Sequence, residues 1–449
     1  MSDSPNGIGS APTEVDSKVC ARRGSLMAGD VGNQDLNAVV VERRERRRKR
    51  SPWAYVWLSL GLVLVAAFGL WSTGIYPFDG SVAFLEGLPG PEEILGREPN
   101  GGNPSPVDLD EEPDEPIAPA PTLEERALEA RAVYVTIPAA GTVSKWSSII
   151  TFVRDHEGLN SLVMDVRDNN GSVPCIPPGE VPSRSAGYSH YPALVKELDR
   201  EGYYLIARIV CFQDPYLAAN YPEQAIRNPS GTLWRDRDSR LWLNPCDERN
   251  WQHIRDTALW AIEMGFHEIQ LDYVRFPDSA AGIENGTLMP GRENYESRGD
   301  VIAAFLNYMT DALKDKAILS ADIYGFTTIA VDDMGIGQKL EQVADCVDFI
   351  SPMVYPSHYF NAGIYGFEVP EAHPYEVVGK SADEAAERTA GLRAKNRPWL
   401  QDFSMRVKYG PAEVQGQINA LFERGINTFM LWNPSNNYTD GVEYVPPGA

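Results

Sequence analysis

Cysteine is scarce in this chain. There are five in 449 residues, and no two form a CxxC pair. That spacing argues against a structural zinc site. Cys20 precedes a long apolar run, while Cys175, Cys211, Cys246 and Cys346 follow it. For an exported domain one or two disulfides are conceivable, Cys211 with Cys246 first, against an equal expectation of free buried thiols. Positive charge is also short. The formal net charge is -23, which argues against a nucleic-acid partner, because phosphate binding needs a basic face. No HExxH, no GxSxG and no phosphate-cradling glycine loop is present. Zinc proteases, serine hydrolases and nucleotide enzymes therefore leave the front rank, and no metal or cofactor is called for.

What is present is unevenly distributed. Residues 1–50 are rich in Ser, Gly, Asn and Asp and read as a disordered tail ending in the basic run RRERRRKR, Arg43 to Arg50. The uncharged run Trp53 to Trp71 follows and is long enough to span a bilayer. With its flanks it reads as a transmembrane signal-anchor over 53–76, with Trp and Tyr near both ends. The basic flank predicts a cytoplasmic N-terminus and an extracytoplasmic remainder, at the cell membrane. A cleaved signal peptide is the rival reading, disfavoured by the length of the run and the lack of a nearby A-x-A-like site. Residues 77–121 are rich in Pro, Gly and acid and read as an extended, self-repelling linker.

From residue 122 the texture changes. Strand-like runs alternate with helical patterns: Ala132 to Ile137, Ser161 to Asp168, Tyr203 to Phe212, Glu268 to Pro277, Ala317 to Gly325, Asp348 to Pro356, Arg397 to Ser404 and Thr428 to Ser435. Such alternation argues for parallel strands. Eight of them over 122–449 fit an α/β fold, one (β/α)8 TIM barrel. The last outer helix is missing or short, and the entry helix LEERALEARA is expected to cover that gap.

In a barrel the carboxyl ends of all strands converge on one mouth. Here those ends carry Asp165, Arg208, Asp272, Arg275, Asp322, Tyr324, Tyr355, Gln401, Asp402, Trp432 and Asn433. Burying so many polar groups is costly, so packing alone is a poor explanation. The chemistry that suits them is glycoside hydrolysis, which needs one carboxylic acid and one facing carboxylate. Asp272, on EIQLDYVRFP, is expected as nucleophile or base, Asp322 on the next strand as general acid, and Asp402 as the rival to Asp322. Asp165, Arg208, Arg275, Tyr324, Tyr355, Gln401, Trp432 and Asn433 are expected to bind the sugar. Each has a plainer reading: Asp272 as a structural partner of Arg208, Asp322 as a loop cap, the aromatics as core.

The motifs QLDYVRFP, SADIYGF, ISPMVYPSHY, RPWLQDF and FMLWNPSN, after VYVT and LVMDVRD, resemble the glycoside-hydrolase-like barrel domain catalogued in bacteria as a domain of unknown function. The likeness spans roughly residues 130–437 and implies a TIM barrel acting on carbohydrate. A more distant likeness is to α-amylase-type barrels, whose nucleophilic Asp ends the fourth strand as Asp272 does. The chain departs from them with Gln270 where they carry Arg, and with Asp322 where they carry Glu. The expected function is a membrane-anchored, extracytoplasmic glycoside hydrolase acting on a polysaccharide or oligosaccharide. A non-catalytic glycan-binding barrel and a structural envelope protein are the alternatives.

Overall fold

The computed structural model describes residues 120–448, apart from 180–181, 279–286 and 360–363. The expected tail, the span over 53–76 and nearly all of the linker lie outside the described residues. Among the described residues, no helix is long and apolar enough to cross a membrane.

Eight parallel strands run in chain order: β1 Arg131–Val135, β2 Ser161–Arg167, β3 Tyr204–Val210, β4 Glu268–Asp272, β5 Ile318–Tyr324, β6 Phe349–Val354, β7 Trp399–Gln401 and β8 Phe429–Trp432. Each pairs with its sequence neighbour, and β8 pairs with β1, so the sheet closes on itself. This is the expected (β/α)8 barrel. The reading Glu268 to Pro277 stops at Asp272, since Tyr273 has φ 51°.

The helices start where local chemistry supports them. Helix α1, Leu123–Leu128, opens on a capping box between Thr122 and Glu125. Helices α2, Ile137–Gly141, and α3, Val143–Asp155, follow β1. Helix α4 is Tyr191–Arg200, and α5, Pro215–Asn220, is capped by Asp214. Helix α6, Glu248–Met264, begins on the Asp247 cap and ends at Gly265 with φ 115°. Helix α7, Arg298–Leu313, has a Ser297–Asp300 capping box. Helices α8, Leu340–Cys346, α9, Pro374–Arg388, and α10, Pro411–Phe422, complete the ring. At α1, α2, α5, α6 and α7 a side-chain cap satisfies one of the orphan N–H groups that open the helix.

The core has two parts. The outward faces of the strands pack on the helices through residues such as Leu162, Ile209, Leu271, Phe305 and Leu431. Inside the barrel, Tyr134, Val163, Tyr204, Ile206, Phe349, Trp399 and Met430 fill the lumen. The amino-terminal end of that lumen is closed by a fully buried ion pair. Arg397 reaches both Glu268 oxygens at 2.6 and 2.7 Å and the Ala127 carbonyl at 2.9 Å. Tyr204 and Ser320 hydroxyls donate to the same carboxylate, leaving neither charge without partners.

Two expectations are corrected. The entry helix does not fill the outer gap: Ala127 and Ala130 sit in the lumen cluster, so this segment plugs the barrel floor. The gap after β8 is covered by the C-terminal segment instead. Tyr438 and Tyr444 pack against Phe152 of α3, and Glu443 N–H donates to Gln415 of α10 at 2.7 Å. The four described cysteines are free thiols, with Cys211 and Cys246 both buried and unpaired.

Candidate active site

The inward positions of each strand alternate, so every second residue climbs the lumen toward the carboxyl end. On β4 these are Glu268, Gln270 and Asp272; on β5, Ser320 and Asp322. The β4–β5 register sets Leu271 against Ala321, which brings Asp272 and Asp322 to the same level on adjacent strands. Arg208 on β3 binds this cluster together. Its Nη1 donates to Asp165 at 2.6 Å, and its Nε and Nη2 donate to Asp272 Oδ2 at 3.0 and 2.5 Å. Its Nε also lies 3.9 Å from Asp322 Oδ2. The guanidinium is in turn flanked by the rings of Tyr134 and Trp432, which stack at 4.2 Å.

Three carboxyl groups thus share one guanidinium in a site that is almost dry. Asp165, Asp272 and Asp322 are 3%, 6% and 1% exposed. Removing a carboxylate from water favours its neutral form, and a like charge nearby adds to that. Burial pushes Asp165 up to about 6, although Arg208 and the Tyr134 hydroxyl at 2.6 Å oppose the shift. Asp322 is raised well above the usual carboxylate range, first by burial and then by the charge of Asp272. Its Oδ1 accepts from Trp399 Nε1 at 2.7 Å, whereas its Oδ2 is closed to solvent and has no hydrogen-bond partner among the described residues. Asp272 differs: Oδ2 accepts from Arg208, and Oδ1 accepts from the Tyr273 N–H at 2.6 Å. An oxygen with no donor facing it is where a carboxyl group most readily keeps its proton. The geometry therefore pairs a proton-holding acid with a fully hydrogen-bonded carboxylate.

Residues 132–438 match a family model described as "Putative glycosyl hydrolase domain". The chain belongs to this glycosyl hydrolase family. A hypothetical protein from Ruminiclostridium thermocellum is 28% identical over 45% of this chain and 98% of its own, with a TM-score of 0.38. The glycoside hydrolase domain of PgaB (BpsB) from Bordetella bronchiseptica is 13% identical over 68% of this chain and 94% of its own, with a TM-score of 0.50. That second likeness supports the barrel fold. No curated protein matches the chain.

In this glycosyl hydrolase chain the other expected site residues fall into two groups. Tyr355 and Trp432 stay with the cluster. Their rings lie 6.4 Å apart, and the Tyr355 phenol is raised by burial and by the nearby charges of Asp322 and Asp272. Arg275 and Tyr324 form a neighbouring group, with the guanidinium 4.7 Å from the Tyr324 ring centroid. Asp402, Gln401 and Asn433 are turned to other tasks. Asp402 accepts from the Thr439 N–H at 3.0 Å and the Thr439 hydroxyl at 2.5 Å, pinning the C-terminal segment. Gln401 accepts from the Ser357 N–H and donates toward Glu371 and the Phe403 carbonyl. Asn433 caps its own turn through Ser435 N–H and donates to the Asn437 carbonyl. Asp402 is thus not brought to the Asp272–Asp322 pair.

Two contributors escaped the sequence reading. Trp399 and Tyr134 each bind a carboxyl of the cluster, yet neither is polar enough to stand out. The available signal was parity: Arg397, Trp399 and Gln401 alternate, and Tyr134 is two residues from the inward Ala132. The Arg missing at Gln270 is also accounted for. Arg208 reaches Asp272 from β3, while Gln270 Nε2 points across the lumen to Met430 Sδ at 3.0 Å and Ser351 at 3.5 Å.

Proposed function

We propose that this chain is a membrane-anchored, extracytoplasmic glycosidase that cleaves a polysaccharide through a two-carboxylate mechanism. The observation that carries the reading is the pair at the β4 and β5 ends: Asp272 with both oxygens hydrogen-bonded, and Asp322 held neutral with one oxygen bare. Two oxygens 3.0 and 3.9 Å from one nitrogen are closer than the sum of those lengths. That bound takes in the roughly 5 Å spacing of retaining pairs and only the low end of the roughly 6.5–9.5 Å range of inverting ones. Asp272 then attacks the anomeric carbon as its bond to the glycosidic oxygen breaks, and Asp322 gives its proton to that departing oxygen. Water, deprotonated by Asp322, releases the sugar from Asp272. Trp432 and Tyr355 present ring faces to the sugar, and Arg208 fixes Asp272 in line.

The test uses a screen of cell-wall and capsular polysaccharides with reducing ends measured. Asp272→Asn is expected to abolish turnover of every substrate with the fold intact. Asp322→Asn is expected to lower kcat on natural linkages by about 10²–10⁴. Its loss on a dinitrophenyl glycoside is expected to be small in the bond-breaking step, because that leaving group needs no proton. Full activity of Asp272→Asn would end the proposal. The closed position of Asp322 Oδ2 favours a second reading, a glycan-binding barrel without hydrolysis; binding with no new reducing ends from any polymer would select it.

The anchor is carried by the uncharged run Trp53 to Trp71 beside the basic Arg43 to Arg50. The full chain is expected in the membrane fraction after an alkaline carbonate wash, with the barrel cleaved by protease added outside intact cells. Release by carbonate, or protection of the barrel, would reject this placement.

A further inference from the structure

The loop leaving β4 places a second cation beside the carboxylate cluster. Arg275, three residues beyond Asp272, is 6% exposed. Its guanidinium lies among three rings, 4.7 Å from Tyr324, 5.0 Å from Trp242 and 5.2 Å from Tyr273. Among the described residues its side chain makes a single hydrogen bond, to the Phe276 carbonyl at 3.0 Å. Among the described residues no carboxylate forms an ion pair with it, in contrast to the buried Arg167, Arg208 and Arg397, each of which has one. A guanidinium keeps its charge and offers five donors. Rings compensate part of the cost of burying it, but they accept none of those donors in the plane. Tyr324 stands on the inward parity of β5, one inward position beyond Asp322. The hydroxyls of Tyr324 and Tyr273 make no hydrogen bond among the described residues. Burial pushes the Tyr324 phenol up to about 12, so it remains a donor at neutral pH.

The arrangement gathers more donors than the Phe276 carbonyl can take, with Asp278 as the one further carboxylate whose charge reaches Tyr324 beside Asp272. We infer that Arg275, with Tyr324 and Tyr273, is a subsite for an anionic group, a sugar carboxylate, on the glycan that meets Asp272. This rests on the glycosidase reading above and narrows it to acidic glycans. A carboxylate there takes a forked pair of N–H bonds, while elsewhere in the mouth it faces Asp165, Asp272 and Asp322.

The test measures binding, separately from hydrolysis. The full-length chain in detergent, carrying Asp272→Asn so that probes stay intact, is titrated calorimetrically. The probes are glucuronate, galacturonate and mannuronate oligosaccharides, each against its own methyl ester. At least one acid is expected to bind roughly tenfold or more tightly than its ester, with the gap narrowing at high salt. Arg275→Gln is expected to erase the gap, and Arg275→Lys to keep part of it. No discrimination within any pair, or a gap that survives in a folded Arg275→Gln, overturns the subsite. Discrimination without reducing-end release by the unmodified chain would instead reject hydrolysis and leave the subsite standing.

Discussion

Among the described residues the Asp322 carboxyl has a single hydrogen bond, and that bond defines a test at the residue scale. Trp399 Nε1 donates to Oδ1, which favours the charged form and so holds the acid below where burial and Asp272 would put it. Trp399→Phe keeps a ring in the lumen but removes the donor. The Asp322 carboxyl is then expected to stay protonated to higher pH. Because a general acid works only while protonated, the alkaline limb of the kcat/KM profile should move upward, by roughly one pH unit for a bond to a charged group of about 1.5 kcal/mol. The acid limb should stay in place. A profile that drops in height without moving would show that Trp399 only packs. At this scale the sequence was readable where a polar residue stands on the inward parity inside a strand, as Asp165, Arg208, Asp272 and Asp322 do. It was less readable at and just past the strand ends. Asp402 and Asn433, and Gln401 as the last residue of β7, look equivalent to those four, yet their directions depend on turns that bring up Thr439, Ser357 and Ser435. Such partners are remote or local in ways that spacing does not encode.

At the scale of elements, the eight alternations were legible because each strand is a short apolar run bounded by a helical period. Boundaries were less so, and each shift has a cause. The run after Asp272 stays apolar through Val274 and Phe276, but Tyr273 takes a left-handed backbone without the glycine that usually announces one. Helix α9 begins at Pro374, eight residues before the helical pattern ADEAAERTAGLRA that opens at Ala382. Gly379 reads as a breaker inside that stretch. In the fold it is a contact: a Cβ there would meet the Arg424 guanidinium at 2.8 Å, and Arg424, two residues past the end of α10, reaches Asp383 on α9. The helix runs on through this glycine because its flank is covered by the Arg424 side chain and its ion pair with Asp383, a fact of packing rather than propensity. The same holds for the entry segment. Its capping box announces a helix, but nothing local says that its Ala127 carbonyl will cap a buried arginine on β7's approach.

For the molecule as a whole, the carboxylate cluster sets the site against the fold. One guanidinium cannot satisfy three ionised carboxylates in a lumen this dry, so the folded state holds protons that the unfolded chain would release. Asp165 is the member with a defined range, raised from 3.8 to about 6. Between those values the native state binds more protons than the unfolded state, so ∂ΔG/∂pH is negative there. The stability linked to this group is complete below pH 3.8 and is lost as pH rises through about 6. The full swing is on the order of 3 kcal/mol for a shift of this size. Asp165→Asn removes the titration while leaving an oxygen for the Tyr134 hydroxyl. Urea unfolding of both proteins across that window should therefore show the stability difference, native minus variant, falling as pH rises and levelling off above it. Absolute stability of the variant is not the readout, since Arg208 loses a charged partner with the substitution. A difference that stays flat with pH would mean that Asp165 is ionised throughout. Arg208 would then neutralise Asp165 more strongly than burial opposes it, and the proton shared within this site would have to reside on Asp322 alone.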